Sequence, residues 1–349
     1  MQNKHCDCGA VVKADAYGLG ASTIAESLAS AGCQTFYVAH LEEGITLRNT
    51  LGENATIIVL HGIQIGLEDD CSNYKLIPVI NTLEQAKSWS NYSVKHNKTQ
   101  RVILQVDTGM NRLGMQKNEL IMFIHNPDYT LGLELVALMS HLACSSIDDH
   151  ALNMEQLKKF KIALAATTKK FPKILATLSN SSGIFLGSEW HFNATRPGAA
   201  LYGLNPQPTK QNPMKSVVTL KAKILQIRQI DPGDTVGYGA TLKVTSPTRL
   251  ATVSLGYADG FRRSLSNIEV GFIDGIPIKV AGLVSMDLLT FDISAVPEKL
   301  VFPGKTVDIL SEKFGPDELA KKCNTIGYEI ISTLGSRFAR SYTSNSGKN

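Results

Sequence analysis

From residue 9 to about residue 204, short apolar runs alternate with longer stretches of helical character. The runs at 9–13, 35–39, 56–60, 75–80, 101–106, 134–140, 173–178 and 196–201 suit strands of a buried parallel sheet. Helical stretches between them include 22–31, 83–95 and 151–169. The last of these carries Leu152, Leu157, Phe160 and Leu164 near helical spacing, with lysines between. Eight β units in roughly 200 residues predict an α/β chain whose N-terminal part is a closed (β/α)8, TIM-like barrel. An open Rossmann-like sheet is the second choice, and no Gly-X-Gly-X-X-Gly turn follows any of the runs.

After Pro206-Gln-Pro-Thr-Lys-Gln-Asn-Pro213 the pattern changes. Short β segments are predicted at 217–229, 249–255, 268–273, 276–280, 288–293 and 306–309. Turn signals at Asp231-Pro-Gly-Asp234, Asp274-Gly275 and Pro303-Gly304 separate them. Only 316–323 and 328–335 have helical character. The expected organisation is therefore a barrel over 1–206 and a mostly-β domain over 214–345, with a frayed tail from 341 to 349.

Composition narrows the function classes. The chain has 349 residues, 43% of them hydrophobic and 19% charged, which excludes a disordered, collagen-like or coiled-coil protein. The 35 Lys and Arg against 31 Asp and Glu leave a net charge of +4. That charge is dispersed, so nucleic acid is not expected as a partner. No apolar run is long enough to cross a bilayer, and the first residues lack the apolar core of a secretion signal. The six cysteines are scattered, Cys6 and Cys8 are too close for an ordinary zinc pair, and no metal site is expected. Reduced thiols and a soluble, cytoplasmic location follow as expectations.

In a barrel, chemistry is expected where strands end. Lys13 closes the first predicted strand. A lysine in an apolar barrel mouth has its charge disfavoured and its amine made nucleophilic, as Schiff-base chemistry requires. On position alone, a surface lysine is the alternative.

The surrounding motifs change that balance. The stretch Val12-Lys-Ala-Asp-Ala-Tyr-Gly-Leu-Gly20 resembles the cofactor-lysine signature of alanine racemases, which are pyridoxal-phosphate (PLP) enzymes of fold type III. The resemblance recurs in the same order at Asp107–Gly114, Met139–Ala143, Ser179–Gly183, Arg196–Gly203, Val236–Gly239, Leu255–Gly260 and Val284–Asp287. Any one motif is weak; the ordered set is specific, and the barrel-then-β division is also that family's.

The resemblance implies the following roles. Lys13 holds PLP and acts as one base, and Tyr257, reaching in from a partner subunit, acts as the second on the opposite face of Cα. A free tyrosine titrates near ~10, so cationic neighbours must favour its phenolate. His141 and Arg196 form a hydrogen-bonded line from that tyrosine to the pyridine ring. Arg196 has no acceptor and cannot take a proton from the ring nitrogen, which limits side reactions. Tyr17, Ser181, Gly198 and Ala199 are implied at the phosphate. Arg112 and the Met286 backbone N–H are implied at the substrate carboxylate, with Asp287 orienting the neighbouring loop. The implied activity interconverts L- and D-alanine and supplies D-alanine for peptidoglycan. The implied assembly is a homodimer with shared active sites.

Three departures stand out. Family members usually carry about 25 more residues before the cofactor lysine. Here 12 precede Lys13, so the expectation is either a truncated form or a misassigned start codon, and with it an unpaired edge in the β domain as a liability. Gln105 stands where several members have a carbamylated lysine, and Ser336 where some present a tyrosine. Leu283 also stands where arginine is common. The competing readings are a broader, serine-type racemase, a decarboxylase of the same architecture, and a PLP-binding protein without turnover.

Overall fold

The computed structural model describes residues 6–343, so residues 1–5 and 344–349 of the expected tail lie outside the described residues. The chain divides into two compact units, 1–201 with 205–213 and 202–204 with 214–349.

In the first unit, β1 (Asp7–Cys8), β2 (Ala10–Val11), β3 (Thr35–Val38), β4 (Thr56–Val59), β5 (Ile77–Ile80), β6 (Gln100–Gln105), β7 (Leu133–Met139), β8 (Leu175–Asn180) and β9 (Ala194–Arg196) follow one another around a parallel sheet. β1 and β2 together form one stave. β1 pairs with β9, β2 pairs with β3, and the cylinder closes. The break between them is Gly9, where a Cβ would sit 2.5 Å from Cε2 of Tyr37. Its N–H still donates to the Thr195 carbonyl at 3.0 Å, which keeps the seam continuous. Val11, Tyr37, Ile58, Ile77, Val79, Ile103, Ala137 and Met139 fill the interior. Side chains from successive staves pack it solid, as apolar burial on a cylinder of this width requires.

Helices wrap the outside, among them Ala21–Ser30, Leu83–His96 and Ala151–Thr168. Thr82 caps the second of these by accepting from the Gln85 N–H, and Asn97 ends it in the left-handed region. The strand predicted at 196–201 instead lies at Ala194–Arg196, followed by a 3-10 turn at Ala199–Tyr202. Pro197 has no N–H to continue a ladder, so the strand stops one residue before it. Arg196 thereby becomes a strand-end residue.

The second unit is a six-stranded antiparallel barrel: β10 (Leu220–Ile230), β13 (Thr248–Val253), β14 (Glu269–Ile273), β15 (Ile276–Val280), β16 (Leu289–Asp292) and β17 (Thr306–Leu310). A separate ribbon, β11 (Thr235–Val236) with β12 (Leu242–Lys243), was not foreseen from the sequence. The expected free edge is absent from the six strands. β17 pairs with both β10 and β14, which closes the sheet and removes the liability. Ala251, Val253, Val270, Ile273, Val280, Phe291, Val307 and Ile309 point inward and are buried.

Gly271 lies against Phe291, whose Cε1 would be 2.7 Å from a Cβ there. Phe291 is fully buried, so Phe291→Ala is expected to cost about 3–5 kcal/mol of stability through lost burial and a residual cavity. Urea unfolding followed by circular dichroism measures that loss.

Candidate active site

Lys13 directly follows the first stave, and what comes next is unusual for L-residues. Ala14, Asp15, Ala16 and Tyr17 all have φ between 52° and 57°, which makes one left-handed helical turn. Each such residue costs roughly 1–2 kcal/mol, so the turn must be held from outside. Glu43 does this. Its Oε1 accepts from the Ala14 N–H and its Oε2 from the Ala39 N–H, both at 2.7 Å. Asp15 Oδ1 accepts from the Ala21 N–H at 2.7 Å and fastens the far end. The turn brings Tyr17 against Gly198, where a Cβ would overlap the Tyr17 hydroxyl. Gly198 is a glycine for that reason. Ser181, buried after β8, accepts at Oγ from the Gly198 N–H at 2.9 Å and the Ala200 N–H at 3.2 Å. It keeps its own proton to donate. Ala199 opens the 3-10 turn beside them and is buried.

Arg196 is buried at the end of β9. It donates to Thr177 Oγ1 at 2.5 Å, the Ser140 carbonyl at 2.6 Å and the Leu178 carbonyl at 3.2 Å. Burial lowers its pKa to about 10, which leaves it cationic at neutral pH. Its Nη2 also lies 3.5 Å from Nδ1 of His141. A guanidinium only donates, so Nδ1 accepts and the imidazole proton is on Nε2. Burial first, then Arg196, Arg112 and Lys13, push His141 down to about 3, so the ring is neutral. Burial and the Arg112 charge lower Lys13 as well, against the opposing pull of Glu43. His61, edge-on to His40 at 4.5 Å, is lowered by burial, His40 and Lys13. The barrel mouth is therefore a cationic cluster, suited to an anionic ligand.

Arg112 is exposed at the tip of the loop after β6. Asp107 shapes that loop: its Oδ1 accepts from the N–H groups of Gly109, Met110 and Asn111 at 2.8, 3.0 and 3.2 Å. Gln105 donates to the Leu113 carbonyl at 3.0 Å, so it braces the backbone beside Arg112.

In the second unit, Tyr257 begins a 3-10 turn after β13. Its N–H donates to the Ser285 carbonyl and that of Ala258 to the Met286 carbonyl, each at 3.0 Å. Gly256 allows this close approach, since a Cβ would overlap the Met286 carbonyl. Arg337 locks the cluster, with Nη1 at 2.7 Å from Asp287 Oδ1 and Nη2 at 2.7 Å from Asp259 Oδ1. Tyr257 and Met286 remain exposed. Leu283 is half-buried and Ser336 exposed. The fold thus gathers Lys13, Tyr17, His141, Ser181, Arg196, Gly198 and Ala199 in the first unit, and Tyr257, Met286 and Asp287 in the second.

Sequence reasoning missed Glu43 and Arg337. Glu43, three residues past His40, sits at a helix start where an acidic residue commonly caps N–H groups, a signal present in the sequence. Arg337 left no local signal, because both of its carboxylates are distant in the chain. Among the described residues, no group of three or more His, Cys, Asp or Glu could hold a metal, and no helix is long and apolar enough to cross a membrane.

The His141 shift has a consequence for acid stability. Its folded pKa lies below the unfolded value of 6.5, so between about 3 and 6.5 the unfolded chain binds a proton that the fold refuses. Stability is lost as pH falls through that window. In His141→Gln the slope of unfolding free energy against pH is expected to be shallower there, measured by urea unfolding at several pH values.

Similarity to characterised proteins follows the same lines. Residues 1–206 match the N-terminal domain and residues 217–342 the C-terminal domain of alanine racemases. Alanine racemase of Rhodospirillum rubrum is 45% identical over 335 residues, covering 96% of this chain and 88% of that protein. The catabolic alanine racemase of Agrobacterium fabrum is 43% identical, covering 95% and 85%. The crystal structure of the Bartonella henselae alanine racemase, with covalently bound pyridoxal phosphate, superposes with a TM-score of 0.92 at 39% identity, covering 97% of this chain and 93% of that one. With both domains matched in order and this identity sustained along the chain, the protein belongs to the alanine racemase family.

Proposed function

We propose that the chain is a PLP-dependent alanine racemase, interconverting L- and D-alanine by two-base proton transfer at Cα. The observation that carries this reading is kinship over both domains. The barrel mouth supports PLP as the ligand. It offers a half-buried lysine of lowered pKa, a serine hydroxyl among backbone N–H groups, and a glycine that leaves room beside a tyrosine hydroxyl. Bound there, PLP would supply the electron sink that acidifies the Cα proton.

In this reading residues 1–206 hold the cofactor and residues 214–345 contribute the second base. Lys13 takes or returns the proton on one face, its lowered pKa leaving the amine more readily neutral. Tyr257 serves the other face from a partner copy in a homodimer with shared sites. His141, with its proton on Nε2, is a donor suited to a phenolate oxygen and passes the influence of Arg196 to it. Arg196 presents only donors, so it would donate to a ring nitrogen of the bound cofactor and could not accept a proton from it. Tyr17, Ser181, Gly198 and Ala199 receive the phosphate. Arg112 and the Met286 N–H receive the substrate carboxylate, and Asp287, fixed by Arg337, orients that second loop. The product D-alanine would feed cytoplasmic peptidoglycan synthesis. Relatives named alanine racemases favour this over a serine-type or non-turnover role.

The test is exchange of the alanine Cα proton in D2O, followed by NMR of both enantiomers. Wild-type protein should exchange both. Tyr257→Phe should keep the visible absorbance of bound cofactor and lose transfer on one face by on the order of 100-fold or more. Lys13→Ala should lose the lysine-bound absorbance. Light scattering should give twice the chain mass for the active species, and full activity in a monomer would refute the shared site.

A further inference from the structure

Gln156, on the helix Ala151–Thr168, is completely buried. A buried amide is costly unless its donors and acceptor are matched, and all are. Oε1 accepts from the Ala143 N–H at 2.9 Å. Nε2 donates to the His141 carbonyl at 2.9 Å and to Thr108 Oγ1 at 3.2 Å. Because the Ala143 N–H can only donate, the amide has one permitted orientation.

That orientation sets the direction of a longer chain. Ser140 Oγ donates to the Val106 carbonyl at 2.8 Å, so it accepts from Thr108 Oγ1, also at 2.8 Å. Thr108 has then given its one proton and accepts from Gln156. The Ser140 carbonyl meanwhile receives Arg196 Nη2 at 2.6 Å. Thr108 begins the loop that carries Arg112. That loop is internally rigid, with Asp107 bonded to three of its N–H groups and its base closed by Asp107 N to Met115 O at 3.0 Å and Met115 N to Gln105 O at 2.9 Å.

We propose that Gln156 is a positioning residue that couples the His141–Arg196 pair to the Arg112 loop. This rests on the racemase reading above. None of the described hydrogen bonds of Gln156 goes to the His141 ring or to Arg112. It acts through the backbone of the first and the hydroxyl that anchors the second. A displacement of either by about 1 Å is enough to cost on the order of a hundredfold in rate.

Holoenzyme of the wild type, Gln156→Met, Thr108→Val and the double variant decides the matter. Four readouts apply: KM and kcat for alanine, visible cofactor absorbance, thermal midpoint, and amide hydrogen exchange over 107–115 and 139–145. Gln156→Met should retain the absorbance, lower kcat by on the order of ten- to a hundredfold and raise KM. It should also speed exchange in both segments together. Thr108→Val should raise KM at nearly unchanged kcat, and the double variant should have a KM no worse than Gln156→Met alone. A lower midpoint with unchanged kcat, KM and exchange would show mere packing and overturn the proposal. So would additive effects on KM. If Gln156→Met does not fold, Thr108→Val decides by its KM. If wild-type holoenzyme fails to exchange the alanine proton, the racemase reading fails, and the paired exchange of the two segments still decides the coupling.

Discussion

A guanidinium buried at the end of a barrel strand, with no carboxylate among its described hydrogen-bond partners, is the constraint on which the site depends. Arg196 is held by a hydroxyl and two backbone carbonyls. Those groups accept hydrogen bonds from it and bring no countercharge. The neighbours must adjust. His141 gives up its proton and accepts from Arg196, and with Arg112 nearby Lys13 also finds its charged form disfavoured. Burial first, then Arg196 for His141 and Arg112 for both groups, disfavours the charged forms in the barrel mouth, which suits that mouth to an anion.

The strained turn after Lys13 belongs to the same economy of positions. Four residues in the left-handed region are worth several kcal/mol against folding by the usual per-residue cost. Glu43 offsets part of this with charge-assisted bonds to the backbone of two neighbouring segments. The result places Tyr17 beside Gly198 and Ser181, residues otherwise far apart in the chain. In the second unit Arg337 has the corresponding task, drawing Asp259 and Asp287 together so that the Tyr257 and Met286 segments share one geometry.

Much of this was legible beforehand because the signals are local. Apolar runs of strand length at regular spacing revealed the eight staves, and turn residues revealed the shift to a β domain. The motifs around Lys13, His141, Arg196 and Tyr257 are each weak alone, and their order along the chain made them recognisable. One misreading was local and one was not. The last stave was drawn through Pro197 although proline cannot extend a ladder, and a free edge was expected in the β domain, whereas β17 closes the six strands by pairing with two strands distant in sequence.

By itself, then, the sequence determined the family and the kind of fold, and it singled out candidate site residues, because hydrophobic period and motif are properties of neighbouring positions. Only the tertiary structure decided the electrostatics and the bracing. Whether His141 is neutral, which of its nitrogens bears the proton, and which backbone and side-chain groups Gln156, Glu43 and Arg337 bond all depend on burial and on partners distant in the chain. Those quantities are set by the dielectric and geometry of the folded interior, and no spacing along the chain encodes them.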